Sequence, residues 1–407
     1  MLKKLSIYQL YKIAGYCLFS ICIVGFFTHF HGDQWNIFFL KGQAAFSDFF
    51  NIACFASDNN PYFNDICSDY DKAYLPFSYL VVKLFTIGVD YRGLSPSDCL
   101  QSNGAIVQAV VFGLISLVVF LFSLKKFGAS NSLLVLAAIS APALFQYERG
   151  NLIMLTVACI SFFLAFYNER GYKKYIGLTL FCVSMVFKVY PAILGLMLLR
   201  DKRYKDILYC IGITSLLILL PFFYFEHGLD NFPVMLRNVS LNSEYFTTYT
   251  TTARYGIHAF LTLVFAKFHM LDTELFNTSL LVSKITTLIL CLLSIGMFFV
   301  EKKKWKQIAF LIFPLLMFPT ASHFYCGLYL IPVLLLFLKE NCNRKIDYLY
   351  VLLFVISFSP LQIVIKHMSI SGHMSCMAAL VMWLILILDA GVQCYRDKKY
   401  LSREVNK

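Results

Sequence analysis

Charged residues are scarce in this chain of 407 residues, where Asp, Glu, Lys and Arg together make up only 14%. Soluble domains carry roughly 25% charged residues, and the 59% hydrophobic content here also exceeds their usual share. A soluble globular fold is therefore excluded. Disorder is excluded too, because 41 Phe and 25 Tyr supply far more apolar surface than a disordered chain contains. The composition predicts an all-α, polytopic integral membrane protein.

The sequence also lacks the motifs of nucleotide and zinc sites. It contains neither GxGxxG nor a Walker A sequence, so a sugar or energy donor supplied as a soluble nucleotide is not expected. Its 13 cysteines show no CxxC or Cys/His zinc spacing. His29, His31 and Asp33 are metal ligands by type, but their i, i+2, i+4 spacing suits only an extended or irregular segment. No metal and no cofactor are predicted.

The net charge of +12 reflects where the basic residues stand in the chain. They form short runs between apolar segments, a pattern typical of cytoplasmic loops in membrane proteins. No contiguous basic domain remains, so nucleic acid is not an expected partner. The runs are Lys3-Lys4, Lys125-Lys126, Arg170 to Lys174, Arg200 to Lys205, Glu301 to Lys306, Arg344-Lys345 and Arg396 to Lys399.

The apolar segments predict the membrane topology. The first, residues 9–28, lacks a small-residue cleavage site and is interpreted as a retained helix. Residues 74–90 and 256–271 are shorter than the roughly 20 residues that a crossing needs, and treating both as crossings would put basic loops on the wrong side of the membrane. Lys188-Val-Tyr-Pro191 divides residues 175–199 into two short limbs. The others are residues 104–124, 131–147, 151–168, 206–225, 278–300, 305–320, 324–338, 346–363 and 373–395.

If residues 74–90 and 256–271 do not cross, every basic run and both termini lie in the cytoplasm. The chain then has ten crossings plus a hairpin, and the predicted number of transmembrane segments is about ten to thirteen. The predicted parts are an N-terminal transmembrane helix (1–28), a periplasmic loop (29–73), a core module (74–225), a second periplasmic loop (226–255), a C-terminal module (256–395) and a cytoplasmic tail (396–407). A bacterial inner membrane is the expected location, and the endoplasmic reticulum is the alternative.

The same topology brings four polar clusters to one outer face. They are residues 29–73, residues 148–151, residues 226–255 and residues 322–325. Ionisable groups at membrane boundaries are costly and are functional candidates. The clusters would join a carboxylate, two cations and an imidazole, which suits a reaction on a phosphate-bearing, lipid-linked substrate.

Each candidate has a structural alternative. Asp48 stands alone among aromatic residues and could act as a general base or be a solvated loop residue or helix cap. Lys188 could bind an anion or extend to the membrane surface. Arg149 could be an interfacial charge paired with its neighbour, and His323 could be structural. Cys54 and Cys67 lie in the same polar segment, where a disulfide and two free thiols are equally compatible with the sequence.

Five segments, in chain order, resemble motifs of the polyprenol-phosphate-dependent glycosyltransferases of the GT-C superfold, most closely the GT87 mannosyltransferase branch. The chain departs from the family pattern at three places. Leu75 replaces one proline of a Pro-Pro pair, a Gln is absent near Gly150, and a Trp is absent before His323. The segments are Asp48-Phe-Phe-Asn-Ile-Ala with Asn60-Pro-Tyr, Tyr74-Leu-Pro-Phe-Ser-Tyr-Leu, Arg149-Gly-Asn-Leu, Phe187-Lys-Val-Tyr-Pro-Ala and Phe318-Pro-Thr-Ala-Ser-His-Phe-Tyr.

The resemblance implies transfer of a sugar, mannose first among candidates, from a polyprenyl-phosphate donor to a glycan or glycolipid acceptor, with inversion. Asp48 would be the general base, assisted by His323, and Arg149 and Lys188 would bind the donor phosphate. Sugar or acceptor contacts would come from Asn151, Asn242 and Tyr325. Two rival functions stay open: a polymerase or ligase of lipid-linked oligosaccharides, which would favour paired arginines in a late polar loop, and a flippase or transporter of lipid-linked glycan.

Overall fold

A computed structural model describes residues 5–28, 34–39, 45–64, 68–248, 251–340, 344–365 and 368–405. Apart from an antiparallel pair of two-residue strands, β1 (Val364–Ile365) and β2 (Met368–Ser369), the regular structure in these ranges is helical. The α-helices of the first half are α1 (Ile7–Thr28), α2 (Ser47–Ser57), α3 (Pro76–Lys83), α4 (Pro96–Cys99), α5 (Asn103–Lys126), α6 (Asn131–Ala138), α7 (Ala141–Arg149), α8 (Ile153–Phe166) and α9 (Tyr172–Phe187). Those of the second half are α10 (Leu196–Arg200), α11 (Tyr204–Leu219), α12 (Asn231–Thr248), α13 (Ile257–Lys267), α14 (Glu274–Val300), α15 (Lys304–Met317), α16 (Leu330–Lys339), α17 (Lys345–Phe358) and α18 (Ile370–Val405).

Within the described ranges, five helical stretches are long and apolar enough to cross a membrane. Much of their apolar surface points away from the protein, as at Val24 (62% exposed) and Leu292 (60% exposed). Soluble proteins do not leave such large apolar surfaces in water, so the prediction of an α-helical membrane protein is confirmed. The stretches are Ile7–Thr28, Asn103–Lys126, Tyr204–Tyr224, Glu274–Val300 and Ile370–Arg396. The count of ten to thirteen membrane segments remains a prediction.

The helical structure is interrupted at Lys188, as the sequence predicts. α9 ends at Phe187, Lys188 is extended with φ −148°, and a 3-10 helix then runs from Tyr190 to Gly195. Pro191 lies at the start of this 3-10 helix, where its missing N–H costs no hydrogen bond. The break leaves the Lys188 side chain at the junction of two short helices.

Two segments differ from the sequence-based expectation. Residues 131–147 form two helices, because Ser140 is extended and Pro142 stands in the first turn of α7. Residues 226–255, expected as a polar loop, contain the 18-residue α12. Its buried positions include Asn231, Met235 and Asn238. Because two of these three buried residues are polar, the sequence of α12 does not show the periodic hydrophobic residues that would predict a helix with one buried face.

Helix α15 occupies the centre of the protein, and all of its residues from Trp305 to Met317 are buried. From Ile308 to Met317 this helix is apolar on every side, which is typical of a helix in a core rather than at a surface. A second cluster of buried residues joins α2, α3 and α4 to α5. The candidate site lies where the segment that follows α15 meets α2.

Candidate active site

A cavity of about 400 Å³ brings the predicted site residues together. Its walls come from α2, the end of α7, the break after α9, α12 and the segment between α15 and α16. Asn151 does not line the cavity, but it contacts Asp48 directly. The predicted residues that line it are Asp48, Arg149, Lys188, Asn242, His323 and Tyr325.

Asp48 stands in the first turn of α2 and is buried rather than in a solvated loop. α2 begins after Phe46, a non-glycine residue with φ +54°, whose N–H donates to the Glu148 carbonyl at 2.6 Å. This bond ties the start of α2 to the end of α7. A carboxylate in the first turn of a helix also interacts favourably with the helix dipole.

Both carboxylate oxygens of Asp48 accept hydrogen bonds. Arg149 Nη2 donates to Oδ1, and Asn151 Nδ2 donates to Oδ2 at 2.7 Å. Burial by itself raises the pKa of Asp48, but Arg149 and Asn151 lower it below its usual value. Asp48 is therefore ionised at neutral pH.

Gly150 allows α2 and α7 to approach each other. It ends α7 with φ +68°, and its N–H donates to the Gln146 carbonyl at 2.8 Å. A Cβ atom at this position would lie 2.8 Å from Phe49 Cβ. Both the left-handed conformation and the close contact favour glycine, which keeps Arg149 and Asn151 within reach of Asp48.

Asn151 connects three parts of the site. Besides Asp48, its Nδ2 lies 3.2 Å from the hydroxyls of both Tyr74 and Tyr325. Its Oδ1 accepts from the backbone N–H of Ile153 at 3.1 Å and so caps the turn before α8. The predicted sugar contacts Asn151 and Tyr325 thus also belong to the hydrogen-bond network that orients the carboxylate.

Lys188 supplies a second cation to the cavity. Its Nζ lies 4.5 Å from the centre of the Tyr74 ring, a cation–π contact. Among the described residues, no carboxylate lies within 4.0 Å of this ammonium group. Lys188 therefore presents its charge to the cavity, whereas Arg149 shares its charge with Asp48.

His323 is a neutral imidazole in this setting. Burial lowers its pKa to about 3, and although the Asp48 carboxylate raises it, Arg149, Arg254 and Lys188 lower it further. The ring packs edge-on against Phe246 with 4.8 Å between ring centres. At neutral pH His323 can exchange hydrogen bonds with a ligand but adds no positive charge.

Helix α12 covers the cavity from the side of the 29–73 segment. Asn242 Nδ2 donates to the Tyr70 carbonyl at 2.9 Å, and the Tyr70 and Tyr245 rings stack with 4.0 Å between their centres. Val239, Asn242 and Phe246 of this helix line the cavity. Their spacing of three and four residues places them on one helical face.

Asp71 is a cavity residue that the sequence did not single out. In the sequence it stands close to Asp65 and Asp69, and nothing in the local pattern distinguishes it from them. Burial is the main cause that raises its pKa to about 6; the Asp48 carboxylate also raises it, while the Ser68 backbone, Lys72 and Arg149 lower it. The cavity therefore contains two carboxylates with separated pKa values.

Replacing Asp71 by Asn is expected to flatten the pH dependence of stability. The folded protein binds this proton up to about pH 6, whereas the unfolded chain releases it near pH 4. The free energy of unfolding therefore falls as pH rises through this window. This loss amounts to about 1 kcal/mol after a discount for solvent screening, and Asp71→Asn removes it. Melting temperatures of purified parent and variant at pH 4.5 and pH 7 measure it. An identical pH response in both proteins would contradict it.

Within the described ranges, no group of three or more His, Cys, Asp or Glu side chains is arranged to hold a metal ion. His29, His31 and Asp33 lie outside these ranges, as does Cys67. No protein-family model, curated protein or solved structure matches the chain. The chemistry of the cavity therefore has to be derived from its own residues.

Proposed function

We propose that this membrane protein is a glycosyltransferase that moves a sugar from a polyprenyl-phosphate donor to a hydroxyl of a glycan or glycolipid acceptor. The observation that carries the proposal is that two complementary groups line the same cavity. Asp48 is an ionised carboxylate, and Lys188 is a cation that has no carboxylate partner among the described residues. The cavity volume of about 400 Å³ lies in the range of small-ligand sites.

In the proposed reaction, the acceptor oxygen attacks the anomeric carbon while the bond from that carbon to the phosphate oxygen breaks. The acceptor hydroxyl gives its proton to Asp48, and the lipid phosphate leaves with the bonding electrons. Attack from the face opposite the leaving group inverts the configuration. Because phosphate is a good leaving group, a carboxylate that is always ionised at neutral pH is a sufficient base even with a low pKa.

The cations would stabilise the phosphate as its negative charge develops. Lys188 is available directly, and preorganised charges of this kind often dominate catalysis. Arg149 has five N–H donors, and its Nη2 group donates to Asp48. The Arg149 side chain lines the cavity and is 27% exposed. Arg149 would therefore both fix the base and contact the phosphate. The neutral His323 would donate a hydrogen bond to the phosphate or the acceptor.

The polymerase alternative needs two arginines that act together, and the environments of the two available residues differ. Arg237 is exposed on α12. Arg254 is buried, and its Nη1 donates to the backbone carbonyls of Phe246 and Thr320. This difference favours the transferase.

The decisive experiment uses purified protein with polyprenyl-phosphate mannose and a panel of glycolipid acceptors, and follows products by mass spectrometry. We expect consumption of donor and a product one hexose heavier than the acceptor. If no polyprenyl-phosphate sugar is consumed with any acceptor, while intact lipid-linked glycan crosses a vesicle bilayer containing the protein, the protein is a flippase instead.

A further inference from the structure

Two cysteines meet where α2 packs against α4. The Sγ atoms of Cys54 and Cys99 lie 3.6 Å apart, and both residues have no exposed surface. They belong to the buried cluster that includes Tyr91, Ala105 and Phe112. This contact joins residues 45 positions apart in the chain.

The pair lies between two short helices and not within a transmembrane helix. Neither α2 nor α4 is among the five stretches capable of crossing a membrane. α4 is a four-residue turn fixed by a capping box between Ser95 and Asp98. A disulfide requires the sulfurs to approach to about 2.05 Å, and here they are already within 3.6 Å of each other.

We propose that Cys54 and Cys99 form a disulfide in the mature protein. The two thiols together lose two protons and two electrons to a small-molecule or protein disulfide, which is reduced to two thiols. The attacking species in such an exchange is a thiolate. The exchange takes place before α2 and α4 are buried.

The disulfide has two consequences for the protein. It closes a loop that contains Asp71 and Tyr74 and fixes the helix that carries Asp48, so it constrains one wall of the cavity. It also requires an oxidising compartment, because cytosolic thiols are kept reduced. The redox state of this pair is therefore a test of orientation that is independent of any enzymatic activity.

Differential thiol labelling tests the proposal on the full-length protein. Membranes are dissolved in SDS with N-ethylmaleimide, which blocks free thiols, and are then reduced and treated with iodoacetamide. We expect Cys54 and Cys99 to carry only the second label and to appear as one cross-linked peptide before reduction. Cys159 and Cys291, within α8 and α14, serve as internal controls that carry the first label. Maleimide on Cys54 or Cys99, or a peptide that links Cys54 to Cys67, would overturn the assignment.

Thermal unfolding provides a second measurement. Reduction by tris(2-carboxyethyl)phosphine is expected to lower the Tm of the parent by about 5 °C, because the reduced chain has more conformational freedom when unfolded. The Cys99→Ala variant should start near the lower Tm and not respond to the reductant, while Cys159→Ala should respond like the parent. An equal response in parent and Cys99→Ala would show that another bond is responsible.

Discussion

The Asp48→Asn variant is expected to lose about 10²–10⁴-fold in kcat for sugar transfer, with a much smaller change in donor affinity. Asparagine keeps one side-chain oxygen, which can still accept from Arg149, while its amide nitrogen takes the place of the oxygen that accepts from Asn151. It cannot take the proton of the acceptor hydroxyl, so the chemical step slows while the cavity keeps its shape. Initial rates with saturating polyprenyl-phosphate mannose and the best acceptor of the panel measure this loss.

Asp206→Asn is the matched control for this substitution. Asp206 is also a buried carboxylate held by two donors, Lys174 at 2.8 Å and Arg203 at 2.7 Å, but it does not line the cavity. Both substitutions remove a charge from a buried ion-pair network, so both should lower Tm. Only Asp48→Asn should show the large loss of kcat. Full activity in Asp48→Asn, or equal loss in both variants, would remove Asp48 from the role of base.

Replacement of Lys188 by Met is expected to lower kcat/KM for the donor by about 10²–10³-fold, since in the proposed reaction the variant would lose the cation that stabilises the developing phosphate charge. Methionine keeps a similar length and apolar stem, so contact with the Tyr74 ring is retained in part. Lys188→Arg should restore part of the rate because it preserves the charge. Kinetics over a range of donor concentrations separate the effect on binding from the effect on turnover.

Lys83→Met controls for the loss of a cation–π contact. Lys83 is also partly buried, and its Nζ lies 5.0 Å from the centre of the Tyr224 ring, but it belongs to a different surface cavity. We expect its activity to equal that of the parent. If Lys188→Met kept the parental kcat/KM, the ammonium group would have only the structural role of packing on Tyr74.

Local features of the sequence determined several properties of this protein. The scarcity of charge required a membrane environment, because the apolar side chains of α1 and α14 have no other place where their exposure is tolerable. The Lys188-Val-Tyr-Pro191 segment predicted a helix break, which depends only on neighbouring residues. Residue chemistry at segment ends also identified the candidates that line one cavity.

Other features depend on contacts between distant parts of the chain. Asp48 and Arg149 are 101 positions apart, so neither the buried carboxylate nor its low pKa could be derived from its neighbours. Asp69 and Asp71 share one 3-10 turn, yet the side chain of Asp69 is 49% exposed while Asp71 lines the cavity. Likewise, the partly polar buried face of α12 has no hydrophobic period that the sequence alone could reveal.

The sequence by itself thus determined that this protein needs a membrane environment and which residue types are available for chemistry, because both follow from composition and short-range pattern. Only the tertiary structure decided which of those residues are partners. The packing of α2 against α7, made possible by Gly150, sets Asp48 between Arg149 and Asn151. The packing of α2 against α4 brings Cys54 to Cys99. Such pairings depend on burial and distance, which a linear pattern does not contain.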